Sequence, residues 1–414
     1  MAGAVTKART KTRAAEARGA DETHDDRPAL AQRDGVWMAG VAAVAALIFA
    51  STFSSAVAGG DAPESVAGVA SIGILHAPGY PAYVLGARLF SWLVPFGDLA
   101  FRVNLFSTAC AVGAVVALFA LARACRVPRA AAAFGSLALA TATSFWFYAT
   151  FAKFYPLTSL LLVASALLVL RWVGGGGLGN IVAAGALLGF ATGASYQVAV
   201  LVVPGMVLAV LVSGRPRRWR AIGTGMGAAG IVSAALWAFV FVRAGQDPAL
   251  NWGGATTMGR LVDLISMRDF GWGSATLSDV GRNSARVSVN DFGGLPEQLA
   301  NYTVLLSREF SVVLVLLAAV GAWASARRLP RPATVMLWAI FGVNLAGALV
   351  AIGIRMPDGF GSGLRFGGFL LAATFVVALW SGVGAWAAVE AAHGFLRDRA
   401  VKGRRQERNA RLAA

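Results

Sequence analysis

Long apolar runs of roughly 17–25 residues recur along the chain, each long enough to cross ~30 Å of hydrocarbon as an α-helix. Between them lie short loops, and arginines gather in every second loop. Basic clusters stand at Arg123, Arg126 and Arg129, at Arg215, Arg217, Arg218 and Arg220, at Arg327, Arg328 and Arg331, and in the segment 397–411. Positive charge confined to one side of a membrane orients the spans. The chain is therefore an all-α polytopic membrane protein. Charged residues are only 14% of it, against about a quarter in soluble chains. The net charge of +16 follows from these loops and calls for no nucleic acid.

Numbering the runs gives about ten transmembrane helices with both termini cytoplasmic. Residues 1–34 mix both charges and read as a disordered cytoplasmic tail. The transmembrane domain covers 35–389, and 390–414 is a basic cytoplasmic tail. The first span is expected over 36–57, and it is retained because the segment before it is too long and acidic for a signal peptide. The first outer loop, 58–99, holds two short apolar stretches, 62–75 and 83–94, that suit interfacial helices. The stretch 180–213 is too long for one span and divides near Ser195, Tyr196 and Gln197. An eighth span is expected over 304–326, and the long polar loop 243–303 lies outside.

Cys110 and Cys125 are ~22 Å apart on one expected helix and cannot bridge. The glycines at 174–177 lack the Lys and Ser/Thr of a phosphate loop, and no metalloprotease, hydrolase or dinucleotide motif is present. Mid-span charges, which would mark a transporter, are almost absent. Chemistry is expected where the polar outer segments converge: 59–81, 150–156, 195–197, 243–301 and 354–365.

Asp61 leads the candidates. A carboxylate near the interface can take a proton from an acceptor hydroxyl, or bind a divalent cation, Mg or Mn, that neutralises a phosphate. It can equally cap the helix beginning at Ala62, with Glu64 completing a capping box. His76 either satisfies a turn or bonds to phosphate or sugar. Tyr80 and Tyr83 fit interface anchors as well as ligands. Arg102, Arg355 and Arg365 can grip a phosphate with the guanidinium fork or pair with headgroups, and Lys153 shares that argument. Trp252, Phe270 and Trp272, beside Arg260, Asp263, Arg268 and Asp269, suit stacking on sugar or an amphipathic helix on the membrane.

The block 60–107 resembles the N-terminal signature of the protein O-mannosyltransferase family that includes transmembrane protein 260, within the GT-C glycosyltransferases. The matching residues are Asp61 and Glu64, the run His76-Ala77-Pro78-Gly79-Tyr80-Pro81, then Pro95-Phe96-Gly97 and Arg102-Val103-Asn104. Segments 144–157 and 251–270 resemble two further blocks. The resemblance implies a GT-C-like bundle, a polyprenyl-phosphate-linked sugar as donor, and a catalytic acid in the first outer loop, where Asp61 falls. Five positions depart from the family pattern: Ala77 replaces a proline, Lys153 a glutamate, Ser195-Tyr196 an Asn-His pair, and Leu264 a histidine.

The sequence is thus read as a membrane glycosyltransferase moving mannose or a similar sugar to a hydroxyl of a protein, lipid or polysaccharide acceptor. It would act on the outer face of a bacterial inner membrane. Asp61 is the expected base, or an acid linked to a metal, and Glu64 its helper. His76, Tyr80, Arg102, Asn104 and Arg365 are expected at the donor phosphate, and Trp252 and Arg260 at acceptor or sugar. A flippase for lipid-linked saccharides and a catalytically inactive envelope scaffold are the alternatives.

Overall fold

The computed structural model describes residues 27–268, 295–348 and 367–413. Tail residues 1–26 lie outside it, as do Asp269, Phe270, Trp272, Arg355 and Arg365. There are two compact units: residues 1–40, whose described part opens the first helix, and residues 41–414, which contain all the other elements.

Helix α1 (Arg27–Ala50) starts within the expected tail and stops before the expected end of the first span. The sequence after it, Ser51-Thr52-Phe53-Ser54-Ser55, explains the stop, because serine and threonine hydroxyls compete for nearby backbone groups. Ser51 Oγ donates to the Ile48 carbonyl at 2.7 Å. The first outer loop holds the two short helices expected of it, α2 (Ala62–Ser71) and α3 (Pro81–Leu93). Both carry proline in the first turn, where its missing N–H costs nothing. Ile72, in the left-handed region at φ 48°, ends α2.

Next come α4 (Leu99–Ala124), α5 (Arg129–Ala140), α6 (Thr143–Ala149) and α7 (Tyr155–Val173). The third expected span is bent: α5 and α6 meet at 69°. Segment α8 (Gly179–Val212) is helical except at Ser195, with φ −163° and ψ 89°. Straight, its 34 residues would separate its ends by ~50 Å. Instead Arg215 donates to the carbonyls of Trp172 and Gly176, so the loops at its two ends meet. Ile181 and Val210 line one cleft. The chain therefore doubles back at Ser195, where the sequence places its division.

Beyond it lie α9 (Arg218–Ala244), the short α10 (Met258–Ile265), α11 (Leu295–Glu309), α12 (Val312–Arg328), α13 (Arg331–Gly347) and α14 (Leu371–Ala413). The span expected over 304–326 is two elements meeting at 114°. Ser311 makes the break, its hydroxyl capping α12 by accepting from Leu314 N at 3.4 Å. Helix α14 runs on through most of the basic tail, and Glu390 on it pairs with Arg328. Among the described residues six helices are long and apolar enough to cross a membrane, or eight if each bent pair is one span. The protein is an integral membrane protein, and its described spans are fewer than the about ten expected from hydropathy.

Where α12 packs on α14, glycines replace side chains. A Cβ on Gly384 would run into the Leu317 carbonyl, and one on Gly321 into that of Trp380. Backbone cannot yield as a side-chain tip can, so Gly384→Val is expected to destabilise by about 3 kcal/mol or more. Thermal unfolding in detergent checks this: a midpoint within a degree of wild type would contradict the packing.

Candidate active site

Four of the five expected outer segments meet at one end of the bundle; the fifth, 354–365, lies outside the described residues. Asp61 and Lys153 are in an ion pair, Tyr80 stacks on Phe154 at 3.8 Å, and the His76 and Trp252 rings are 6.4 Å apart. Gln197 Nε2 donates to Met267 Sδ at 2.6 Å.

The capping-box reading of Asp61 and Glu64 does not hold. Asp61 sits at the start of α2, but its side chain makes no cap hydrogen bond. Its Oδ2 accepts from Lys153 Nζ instead. The pair is lopsided, with the lysine side chain 10% exposed and the aspartate 45%. Glu64 turns both oxygens to His76, accepting from its backbone N–H at 2.5 Å and meeting Nδ1 at 2.5 Å. A carboxylate on Nδ1 fixes the imidazole ring and its tautomer. Glu64 thereby orients His76.

Tyr80 opens α3 at φ 48° with its ring buried. Burial first, then the nearby Tyr155, Asp61 and Glu64, push its hydroxyl well above the usual tyrosine range. It stays an O–H donor at neutral pH.

Helix α4 positions the lysine. Ser107 Oγ both accepts from Lys153 N at 3.1 Å and donates to Lys153 O at 3.0 Å. Thr108 Oγ1 donates to the Ala149 carbonyl at 2.7 Å. One turn earlier the fully buried Asn104 donates to the Ser54 and Ala56 carbonyls at 2.7 and 2.9 Å, and accepts from Ala152 N at 2.8 Å. Asn104 therefore joins the loop after α1 to the loop before α7. The Lys153 ammonium lies 4.9 Å from the Phe154 ring centroid and 5.5 Å from that of Tyr155, within cation–π reach.

The expected phosphate ligands are not all gathered here. Arg102 spends Nε on the Phe96 and Gly97 carbonyls at 3.1 and 3.0 Å, and Nη1 on Ser91 O at 3.1 Å. That closes the turn between α3 and α4. Arg260 is exposed on α10, and its Nη1 reaches Gly254 O at 3.4 Å. Trp252 is 40% exposed and is held at the site by its backbone, which donates to Ile74 O at 3.1 Å, while Ile74 N donates to Leu250 O at 2.8 Å. Arg243 secures the same junction through the Ser71 and Ile72 carbonyls.

The departures acquire physical roles. Leu264 is buried with Ile74, Ala77 and Ala255, so an apolar side chain fills the space beneath the loop. Lys153 supplies a cation to Asp61. Among the described residues no three His, Cys, Asp or Glu side chains gather around a common point. A divalent cation at Asp61 would share the carboxylate with the Lys153 ammonium.

An apolar groove of about 430 Å³ lies between α3, α4, α7, α8 and α9, walled among others by Gly86, Phe90, Phe106, Leu157, Phe190 and Leu236. Two of its lining residues follow the cluster closely along the chain: Ala82 is two residues past Tyr80, and Leu157, in the first turn of α7, is four past Lys153. A polar, charged cluster and an apolar trough are thus built from adjoining segments.

The fold has counterparts among solved membrane proteins. The crystal structure of ArnT from Cupriavidus metallidurans bound to undecaprenyl phosphate superposes with a TM-score of 0.59 at 16% identity, covering 84% of this chain and 60% of that one. The apo ArnT structure gives 0.55 at 18% identity, over 86% and 60%. Within that fold, residues 61–220 carry a TMEM260-like domain, matching the family described as Protein O-mannosyl-transferase TMEM260 N-terminal domain. Mouse protein O-mannosyl-transferase TMEM260 is 37% identical over 89 residues, which are 20% of this chain and 13% of the mouse protein. The chain therefore spans only part of the length of these relatives.

Proposed function

We propose that the protein is a membrane glycosyltransferase that moves a sugar, mannose or a similar hexose, from a polyprenyl-phosphate donor to an acceptor hydroxyl on the extracytoplasmic face. One observation carries the reading: the Asp61–Lys153 pair lies inside the TMEM260-like segment, and the chain runs from Tyr80 and Lys153 within a few residues into Ala82 and Leu157, which line an apolar groove. A soluble sugar nucleotide would not use such a groove; a donor with a long apolar tail would.

The chemistry is a single displacement. Asp61 takes the hydroxyl proton of the acceptor as that oxygen bonds to the anomeric carbon. The carbon–oxygen bond to the donor phosphate breaks, and its electron pair leaves with the polyprenyl phosphate. The sugar is inverted. Positioned proton transfer of this kind contributes ~10²–10⁴-fold. His76, oriented by Glu64, and the Tyr80 hydroxyl provide polar contacts beside the headgroup, and Trp252 offers a ring face to a sugar. Arg365 completes the proposed donor contacts and Arg260 the acceptor side. The acceptor is a protein, lipid or polysaccharide hydroxyl.

The groove gives a direct test. Gly86→Leu adds a side chain against Phe106 inside it. It should raise KM for a long-chain polyprenyl donor about tenfold while kcat stays within a few-fold, the mark of lost uniform binding. Unchanged KM with the long-chain donor would remove the groove from the account.

A further inference from the structure

We infer that Lys153 is the phosphate-binding cation of this site, and that it exchanges Asp61 for the phosphate of a polyprenyl-phosphate headgroup. The inference rests on the donor class proposed above and names the residue that recognises its charge. Three observations carry it. The lysine is nearly buried and its partner is half-exposed, so the cation is fixed and the carboxylate is the member able to turn away. Its backbone is pinned on both sides by Ser107. And Leu157, a groove wall residue in the first turn of α7, lies only four residues further along the chain, so the ammonium belongs to the segment that leads into the groove.

A buried ammonium is costly without an anion. When Asp61 turns to an acceptor hydroxyl it releases Lys153, and a phosphate oxygen can take its place in a charge-assisted hydrogen bond. As the glycosidic bond breaks, the same ammonium meets the growing negative charge on the phosphate. Lysine at this position thereby does for the leaving group what a divalent cation would do.

The test is ligand binding to the full-length protein in lipid nanodiscs, using polyprenyl phosphate, polyprenol and inorganic phosphate, each with and without a chelator. Wild type should bind polyprenyl phosphate far more tightly than either other probe and be indifferent to the chelator. Lys153→Gln should weaken polyprenyl phosphate by roughly 30-fold or more and leave polyprenol unchanged; Lys153→Arg should restore most of the loss. Asp61→Asn should act in the opposite direction, tightening polyprenyl phosphate by up to about fivefold, because it removes the competing partner of a half-exposed pair. A merely structural lysine would give no such opposition. Equal loss of polyprenol and polyprenyl phosphate in Lys153→Gln, unchanged binding in that variant, chelator-sensitive binding, or inorganic phosphate binding as well as the lipid would each overturn the inference. Transfer activity separates the two proposals. Binding that follows Lys153 without any transfer would sink the enzyme reading alone, and full transfer by Lys153→Gln would sink the phosphate role alone.

Discussion

Asp61→Asn is expected to cut sugar transfer by about 10²–10⁴-fold in a protein that still folds. The substitution keeps the shape of the side chain and removes its ability to take a proton. It also leaves the nearly buried Lys153 ammonium facing a neutral amide, which lowers stability. The loss of transfer should fall on kcat, with KM for the donor unchanged or lower, and the stability loss on the unfolding midpoint. Steady-state transfer measured beside thermal unfolding separates the two effects. A variant with unchanged melting and wild-type kcat would move the base elsewhere.

Asn104→Ala is expected to damage stability and activity together. It removes three hydrogen bonds at once and strands the buried N–H of Ala152 and the carbonyls of Ser54 and Ala56. Each unsatisfied group costs ~1–3 kcal/mol, so even after local relaxation the total should reach roughly 3 kcal/mol. The freed segment includes Ala152, next to Lys153, so the lysine should lose its fixed position. We expect a lowered unfolding midpoint and, below that midpoint, reduced polyprenyl phosphate binding. An unchanged midpoint with lost binding would instead place Asn104 in direct contact with the donor.

The sequence reveals the broad architecture because hydropathy and arginine placement are strong signals. It also locates the division at Ser195, where Ser-Tyr-Gln interrupts an apolar run. It misses where helices bend. Ser311 separates α11 from α12 inside one hydropathy window, and hydropathy has no sensitivity to a local cap. The candidate site is legible in part. Asp61, His76, Tyr80 and Trp252 are found by residue type and by the resemblance, and the fold brings them together. Arg102 looks like a phosphate ligand because it is an arginine on the outer side, yet the structure gives its Nε and Nη1 groups to nearby carbonyls. Asn104 belongs to a motif that suggests the donor, and its described contacts are all to loop backbone.

The Asp61–Lys153 pair is the main feature that sequence reasoning does not predict. The two residues are distant along the chain, and no periodicity links them. Their charges offered a clue, since a lysine on the arginine-poor side, amid the aromatic residues 145–155, is unexpected under the positive-inside rule. That clue alone could not choose between Asp61, a headgroup and a donor phosphate as its partner. Only the fold supplies the distance.

Donor turnover tests the central claim most directly. Full-length protein in lipid would be given polyprenyl-phosphate mannose labelled in the sugar, with wild type compared against Asp61→Asn. The account predicts label released or transferred by wild type, with equimolar polyprenyl phosphate, and at least about a hundredfold less by the variant. Labelled donor that binds to wild type and is never turned over, or is instead carried intact between the two leaflets by both proteins, would contradict it.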